Sequence, residues 1–282
     1  MTEGQDIAQA VREGDRALYL SHLFAPETVR PELFALAAYQ IELKRIVERA
    51  REPLAAEVRL QWWRDALRNE GFGAGGGVDL VEALRAAITR FGWPVDALAS
   101  MSEGRIHDLY ADPFADLDAF DGYAGETRAV PLQLAAIAMS VAAGEGADLA
   151  RQAATAAGYG GVALAAADAA IGAPAALSRQ RTLLPLNLWP SAEALREAVE
   201  GGTMTPAAVE AVRALAQHGL TADDRMRALI AEVPESARAA LLPAFLARAP
   251  LEAAVRQPQN VASPGPIRTQ WTLWRAAQRL AR

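Results

Sequence analysis

Asp108, Asp112 and Asp116 stand four residues apart, and Glu48 and Glu52 repeat the spacing. On a continuous helix such positions share a face, so two carboxylates can converge on one hard cation such as Mg²⁺ and bridge it to phosphate. Neither set reads as a metal site. Pro113 disfavours helix at Asp112 and supplies no amide, so the aspartates read as a helix end, a loop and an N-cap at Asp116. Glu48 and Glu52 lie among Arg45, Arg49 and Arg51 and read as salt-bridged helix surface. Lys44, the only lysine, precedes Glu48 by four residues, a pairing that adds about 0.2–0.5 kcal/mol to a helix at best. Arg30, Arg179 and Arg181 could grip a diphosphate, since guanidinium binds phosphate in a fork. Without a metal that grip binds an anion but poorly activates its departure. His22, His107 and His218 are too scattered for zinc. His22, near Tyr19 and Asp15, reads as a surface or capping residue.

The elements that must position these groups are helical. Alanine is abundant, β-branched residues are sparse and aromatics make up 6 %, all of which favours helix. After an amphipathic start at Ile7, Ala10 and Val11, periodicity predicts helices over Arg16–Phe24, from Pro31 to about Glu52, and over Leu54–Asn69. GFGAGGG at 71–77 predicts a flexible loop; no GK[ST] follows, so it is no phosphate cradle. Helices are expected again over Asp79–Arg90, Val95–Leu109, Leu117–Ala124, Ala129–Ala143 and Asp148–Ile171. A proline- and arginine-rich loop should cover 172–190, with three or four shorter helices between Ser191 and Ala249. A linker over 257–266 leads to a C-terminal helix at about 267–280. No strand or internal repeat is expected, so residues 1–282 read as one all-α domain. Of the tryptophans at 62 and 63, one should face the core. Gly158, Gly160 and Gly161 should allow close helix approach.

Composition removes whole classes of function. There is no cysteine, hence no disulfide, thiolate site or cysteine nucleophile. A net charge of −6 argues against general nucleic-acid binding. The acidic start, MTEGQDIAQAVREGD, lacks the apolar core of a secretory signal. No uninterrupted apolar run reaches the roughly 18 residues of a membrane span. The expected location is a bacterial cytoplasm, with peripheral contact at the inner face of the membrane as the other reading. The end, PIRTQWTLWRAAQRLAR, carries Arg268, Arg275, Arg279 and Arg282 with no acid. It reads as closing the fold, with tryptophans buried and arginines outside; contact with a membrane interface is the other reading.

The block from Asp15 to Leu67, with FAPE at 24–27 and EVRLQWW at 57–63, resembles the opening of the squalene/phytoene synthase family. The stretches 104–133, with DGYAGET, and 158–188, and the terminal QWTLWRAA, continue the likeness. The resemblance implies an isoprenoid-synthase-like helical bundle around a central cavity, with two aspartate-rich motifs holding Mg²⁺ against a diphosphate. Here the first motif's positions carry Lys44 and Arg45, with only Glu48 acidic. Those of the second fall on Gly172 and Ala176, with Asp168 four residues earlier. A cation cannot ligate a cation, and neither Gly172 nor Ala176 offers a ligand. The pattern is most similar to the family's non-catalytic branch, which includes the mitochondrial complex I assembly factor and its bacterial relatives.

The resemblance thus implies an assembly or accessory factor, no catalytic residues and no cofactor. Its partner would be a protein or a respiratory membrane complex, and a lipid or isoprenoid ligand could occupy the inherited cavity. Tyr19, Arg30, Tyr39, Asp108, Tyr123 and Arg181 are the expected residual pocket. The alternative is an active Mg²⁺-dependent prenyltransferase joining prenyl diphosphates through displaced acids such as Glu48, Asp108 and Asp168.

Overall fold

Pro31, Pro53, Pro131, Pro206 and Pro266 each stand in the first turn of a helix. There the missing amide hydrogen costs nothing and the fixed φ suits the helix. The structure, a computed structural model, describes residues 3–68, 78–110 and 112–280. Among the described residues there is no strand. The expected loop at 71–77 lies outside them.

The helices run in the order α1 (Glu3–Gly14), α2 (Arg16–His22), α3 (Arg30–Glu48), α4 (Pro53–Arg68), α5 (Val78–Phe91) and α6 (Val95–Gly104). After a 3₁₀ turn at His107–Leu109 come α7 (Leu117–Ala124), a π-helical segment (Gly125–Ala129), α8 (Val130–Ala142), α9 (Ala147–Ala150) and α10 (Ala154–Leu177). The last third holds α11 (Ala192–Gly201), α12 (Pro206–Ala228), α13 (Glu235–Arg238), a 3₁₀ stretch (Ala239–Leu246), α14 (Arg248–Arg256) and α15 (Pro266–Leu280).

Several expected boundaries move; the helix expected to reach Leu109 stops at Gly104. α3 stops at Glu48, so Glu48 and Glu52 do not share a helix; Pro53 opens α4. The region 191–249 is dominated by α12, 23 residues long, behind a Thr205 N-cap that accepts from Ala208 N. α10 does not end at Ile171. It continues through Gly172 and Pro174 to Leu177, because a proline near the end of a helix removes one hydrogen bond that the last turn can lose. The chain then turns through Gln180, whose φ of +56° lies in the left-handed region.

α10 is the spine. Its alanines and glycines are buried nearly all round, against α12 and α14 on one side and α8 and the π segment on the other. Residues 147–177 are long and apolar enough to cross a membrane by length and composition, yet 61 % of the most apolar window is covered by protein. Closeness is what the small residues permit. A Cβ on Gly160 would lie 3.0 Å from Ala244 Cβ, and one on Gly161 only 2.6 Å from the Ala129 amide nitrogen. Gly158, by contrast, faces open space. One core gathers α3–α6, α8 and the 3₁₀ stretch; a second gathers α7, α11, α12 and α14. α10 contributes to both, which joins the described residues into one domain.

Candidate functional site

Between α2, α3, α8, α10 and the 3₁₀ stretch lies a cavity of about 330 Å³. Helical spacing decides which side chains line it. α3 contributes Gln40, Ile41 and Lys44; α8 contributes Pro131, Leu132 and Ala135; α10 contributes Leu164, Ala167, Asp168 and Ile171. Ala17, Leu18 and His22 come from α2, and Ala240, Pro243 and Leu246 from the far wall. The lining is mostly aliphatic, with its polar groups few and specific.

Five of the lining groups carry charge: Asp15 at the start of α2, and Lys44, Arg105, Arg128 and Asp168 between α3, the π segment and α10. Asp168 Oδ2 is engaged by the Arg128 guanidinium, which the π segment delivers. Lys44, 58 % exposed, stands at the rim and pairs with Glu48 at 3.7 Å. Arg105 is buried and donates to Asp108 Oδ2 at 2.9 Å and to the Tyr123 hydroxyl at 3.0 Å; that hydroxyl donates to Asp108 Oδ1 at 2.9 Å. Burial alone would lower the Arg105 guanidinium. The neighbouring Tyr123 hydroxyl and the carboxylates of Asp108 and Asp168 outweigh it and hold the group above its ordinary value. Burial likewise pushes the Tyr123 phenol up, so Tyr123 is a neutral donor throughout the physiological range.

The expected pocket residues divide into three groups. Asp108 and Tyr123 come together, but they brace Arg105 and do not line the cavity themselves. Arg181 supports them from behind, donating to the carbonyls of Asp108 and of Tyr110. Tyr19, Arg30 and Tyr39 are elsewhere. Tyr19 stacks on Phe34 at 5.2 Å. Arg30 caps the local turn through the Ala25 carbonyl (2.9 Å) and Glu27 (3.2 Å). Tyr39 is fully buried, donates to the Leu98 carbonyl at 3.2 Å and packs on Trp63, the inward member of the tryptophan pair. The three arginines expected to grip a diphosphate are not assembled at the cavity. Asp116 is the N-cap of α7, accepting from Ala119 N at 2.8 Å, so the aspartate ladder is broken as expected.

Sequence reasoning missed Arg105, Arg128 and Gln40, and misplaced His22. Arg105 stands three residues before Asp108 and carried a readable ion-pair signal. Nothing local marks Arg128; only the fold sets it opposite Asp168. His22 is not a surface residue. It is buried edge-on to Phe34, its Nε2 has no hydrogen-bond partner, and burial lowers its pKa to about 4.

That shift gives a testable pH dependence. A histidine whose folded pKa lies below its unfolded 6.5 binds its proton more readily in the unfolded chain. Its neutral form therefore costs the fold nothing above about pH 6.5, and stability falls as the pH drops toward 4. Between pH 7 and 4.5 the wild type should lose about 2–3 kcal/mol more than His22→Leu in urea titrations. Parallel losses in the two proteins would show that His22 is not the cause.

The donor set does not fit Mg²⁺. Lys44 brings an ammonium to the cavity where the first motif would bring a carboxylate, Asp168 is already neutralised by Arg128, and Gly172 and Ala176 have no ligand atoms. No group of three or more histidine or acidic side chains is placed to share an ion among the described residues.

A family model described as squalene/phytoene synthase matches residues 11–275. Among solved structures, squalene synthase HpnC from Alicyclobacillus acidocaldarius is similar at 18 % identity, over 92 % of this chain and 95 % of that one, with a TM-score of 0.70. A dehydrosqualene synthase solved with a ligand aligns at 14 % identity over 99 % and 96 %, with a TM-score of 0.72. YisP from Bacillus subtilis aligns at 15 % over 96 % and 95 %, with a TM-score of 0.67. At these identities the likeness establishes the fold. No curated protein matches the sequence.

Proposed function

The chain belongs to the squalene/phytoene synthase family, and we propose that within it the protein is a non-catalytic member whose cavity holds a lipid or isoprenoid without transforming it. It would serve as an assembly or accessory factor. The observation that carries this reading is that Lys44 on α3 and an arginine-neutralised Asp168 on α10 line one cavity. A diphosphate leaves readily only when its charge is met by metal ions. The cations here are fixed side chains. They can attract an anionic head group while aliphatic walls receive a tail, the usual division of labour in a lipid pocket. Resemblance to the assembly-factor branch supplies the expected partner, a respiratory membrane complex.

The deciding experiment titrates Mg²⁺ and a farnesyl or geranylgeranyl diphosphate analogue into the protein calorimetrically, singly and together. No mutual enhancement and no release of inorganic diphosphate from the authentic substrate is the expected result. Organic extraction of freshly purified protein should yield a co-purifying lipid, and Lys44→Glu should deplete it. Mg²⁺-dependent turnover of a prenyl diphosphate would overturn the reading in favour of the prenyltransferase.

A further inference from the structure

We infer that the outward face of α15, together with the end of α2, is a docking surface for a bilayer containing anionic phospholipid. α15 was expected to bury its tryptophans, and it does not. Its buried seam is Thr269, Leu273, Ala276 and Leu280. Successive residues turn by about 100°, so Ile267, Trp271 and Trp274 fall together on the opposite face. They are 83 %, 56 % and 48 % exposed, and the two indoles stack at 5.1 Å. Leu23 and Phe24, also exposed, extend this patch from α2 across an apolar groove that Trp274 shares with Leu20.

Charge selects the occupant. By the same rotation Arg268, Arg275 and Arg279 line one flank of the tryptophan face. None forms an ion pair with a described residue, and the helix contains no acid. The whole chain, by contrast, has a net charge of −6. A second copy would bring arginines against arginines. A surface of anionic head groups over acyl chains matches both halves of the face: indoles seat at the boundary and guanidinium groups meet phosphates.

The patch also adjoins the cavity. α2 turns Leu18 and His22 to the cavity, and the turn after it brings Leu23 and Phe24 to the groove; α15 turns Thr269 to the cavity and Trp274 to the groove. Docking would therefore set a wall one helix thick between bilayer and cavity. Surface docking and cavity contents are separable, because vesicle binding reads the first and lipid extraction the second.

The test is co-sedimentation of the full chain with phosphatidylcholine vesicles with and without phosphatidylglycerol, alongside tryptophan emission. Binding to the anionic vesicles, with a blue shift and sensitivity to salt, is expected. Trp271→Ser with Trp274→Ser should reduce partitioning at least about tenfold, and the triple variant Arg268→Gln, Arg275→Gln, Arg279→Gln on the order of 100-fold. Both sets are exposed, so thermal melts should match the wild type. Failure to bind anionic vesicles, equal binding to neutral ones, or unchanged binding by both variants would overturn the inference. So would a dimer, seen by light scattering, that Trp271→Ser dissociates.

Discussion

Gly161→Val is expected to destabilise the protein by about 1–3 kcal/mol or more, the cost of forcing atoms into a packed interior. The first added carbon would sit 2.6 Å from the Ala129 nitrogen and 2.8 Å from its Cα. Those are backbone atoms at the end of the π segment, and no rotamer change can move them aside. The damage should reach the cavity, because the same segment carries Arg128 to Asp168. Gly172→Ala on the same helix is the control. Its new methyl would meet nothing within 4 Å, so restricting the unfolded chain should stabilise the fold by about 0.5–1 kcal/mol. Urea midpoints for the two variants should move in opposite directions. A shared direction would mean that helix propensity, and not the contact with Ala129, governs α10.

The second large effect is expected at Asp223, which is fully buried on α12. Its Oδ2 accepts from Arg227 Nε and from Arg248 Nη1, each at 2.6 Å, while Oδ1 is buried without a partner. Removing both cations, as Arg227→Met with Arg248→Met, leaves an uncompensated carboxylate and should cost about 3–5 kcal/mol. Adding Asp223→Leu should recover most of that loss, since an apolar replacement has no charge to strand. Chemical denaturation of the double and triple variants checks both halves. A triple variant as unstable as the double would assign the loss to packing, including that of Arg227 over the Phe245 ring at 4.4 Å.

The fold class was legible because alanine-rich periodicity and first-turn prolines act locally. The side chains at Lys44, Gly172 and Ala176 were legible as offering no carboxylate, whatever the fold. Less could be read where burial decides. Tyr39 resembled a pocket aromatic, but its hydroxyl finds a carbonyl, Leu98, 59 residues away in the core. The Arg128–Asp168 pair crosses 40 residues of sequence and has no signature along the chain. α15 misled for a different reason. Tryptophan carries so much apolar surface that burial is its ordinary fate, and the seam was instead filled by Thr269, Leu273, Ala276 and Leu280.

The π segment carries a surplus. Val130 N–H bonds back five residues to the Gly125 carbonyl, where an α-helix would bond back four. From Leu117 to Ala142 the chain is thus one rod containing one residue more than a regular winding needs. Deleting a residue of 125–129 other than Arg128 would remove that surplus, rotating everything before the cut by about 100° relative to everything after it. Tyr123 would swing away from Arg105 while Pro131 and Leu132 kept their places. The cavity's polar end is held in phase by an insertion, so a change of chain length there should do what no single substitution can: dismantle the charged cluster while leaving every residue of it present.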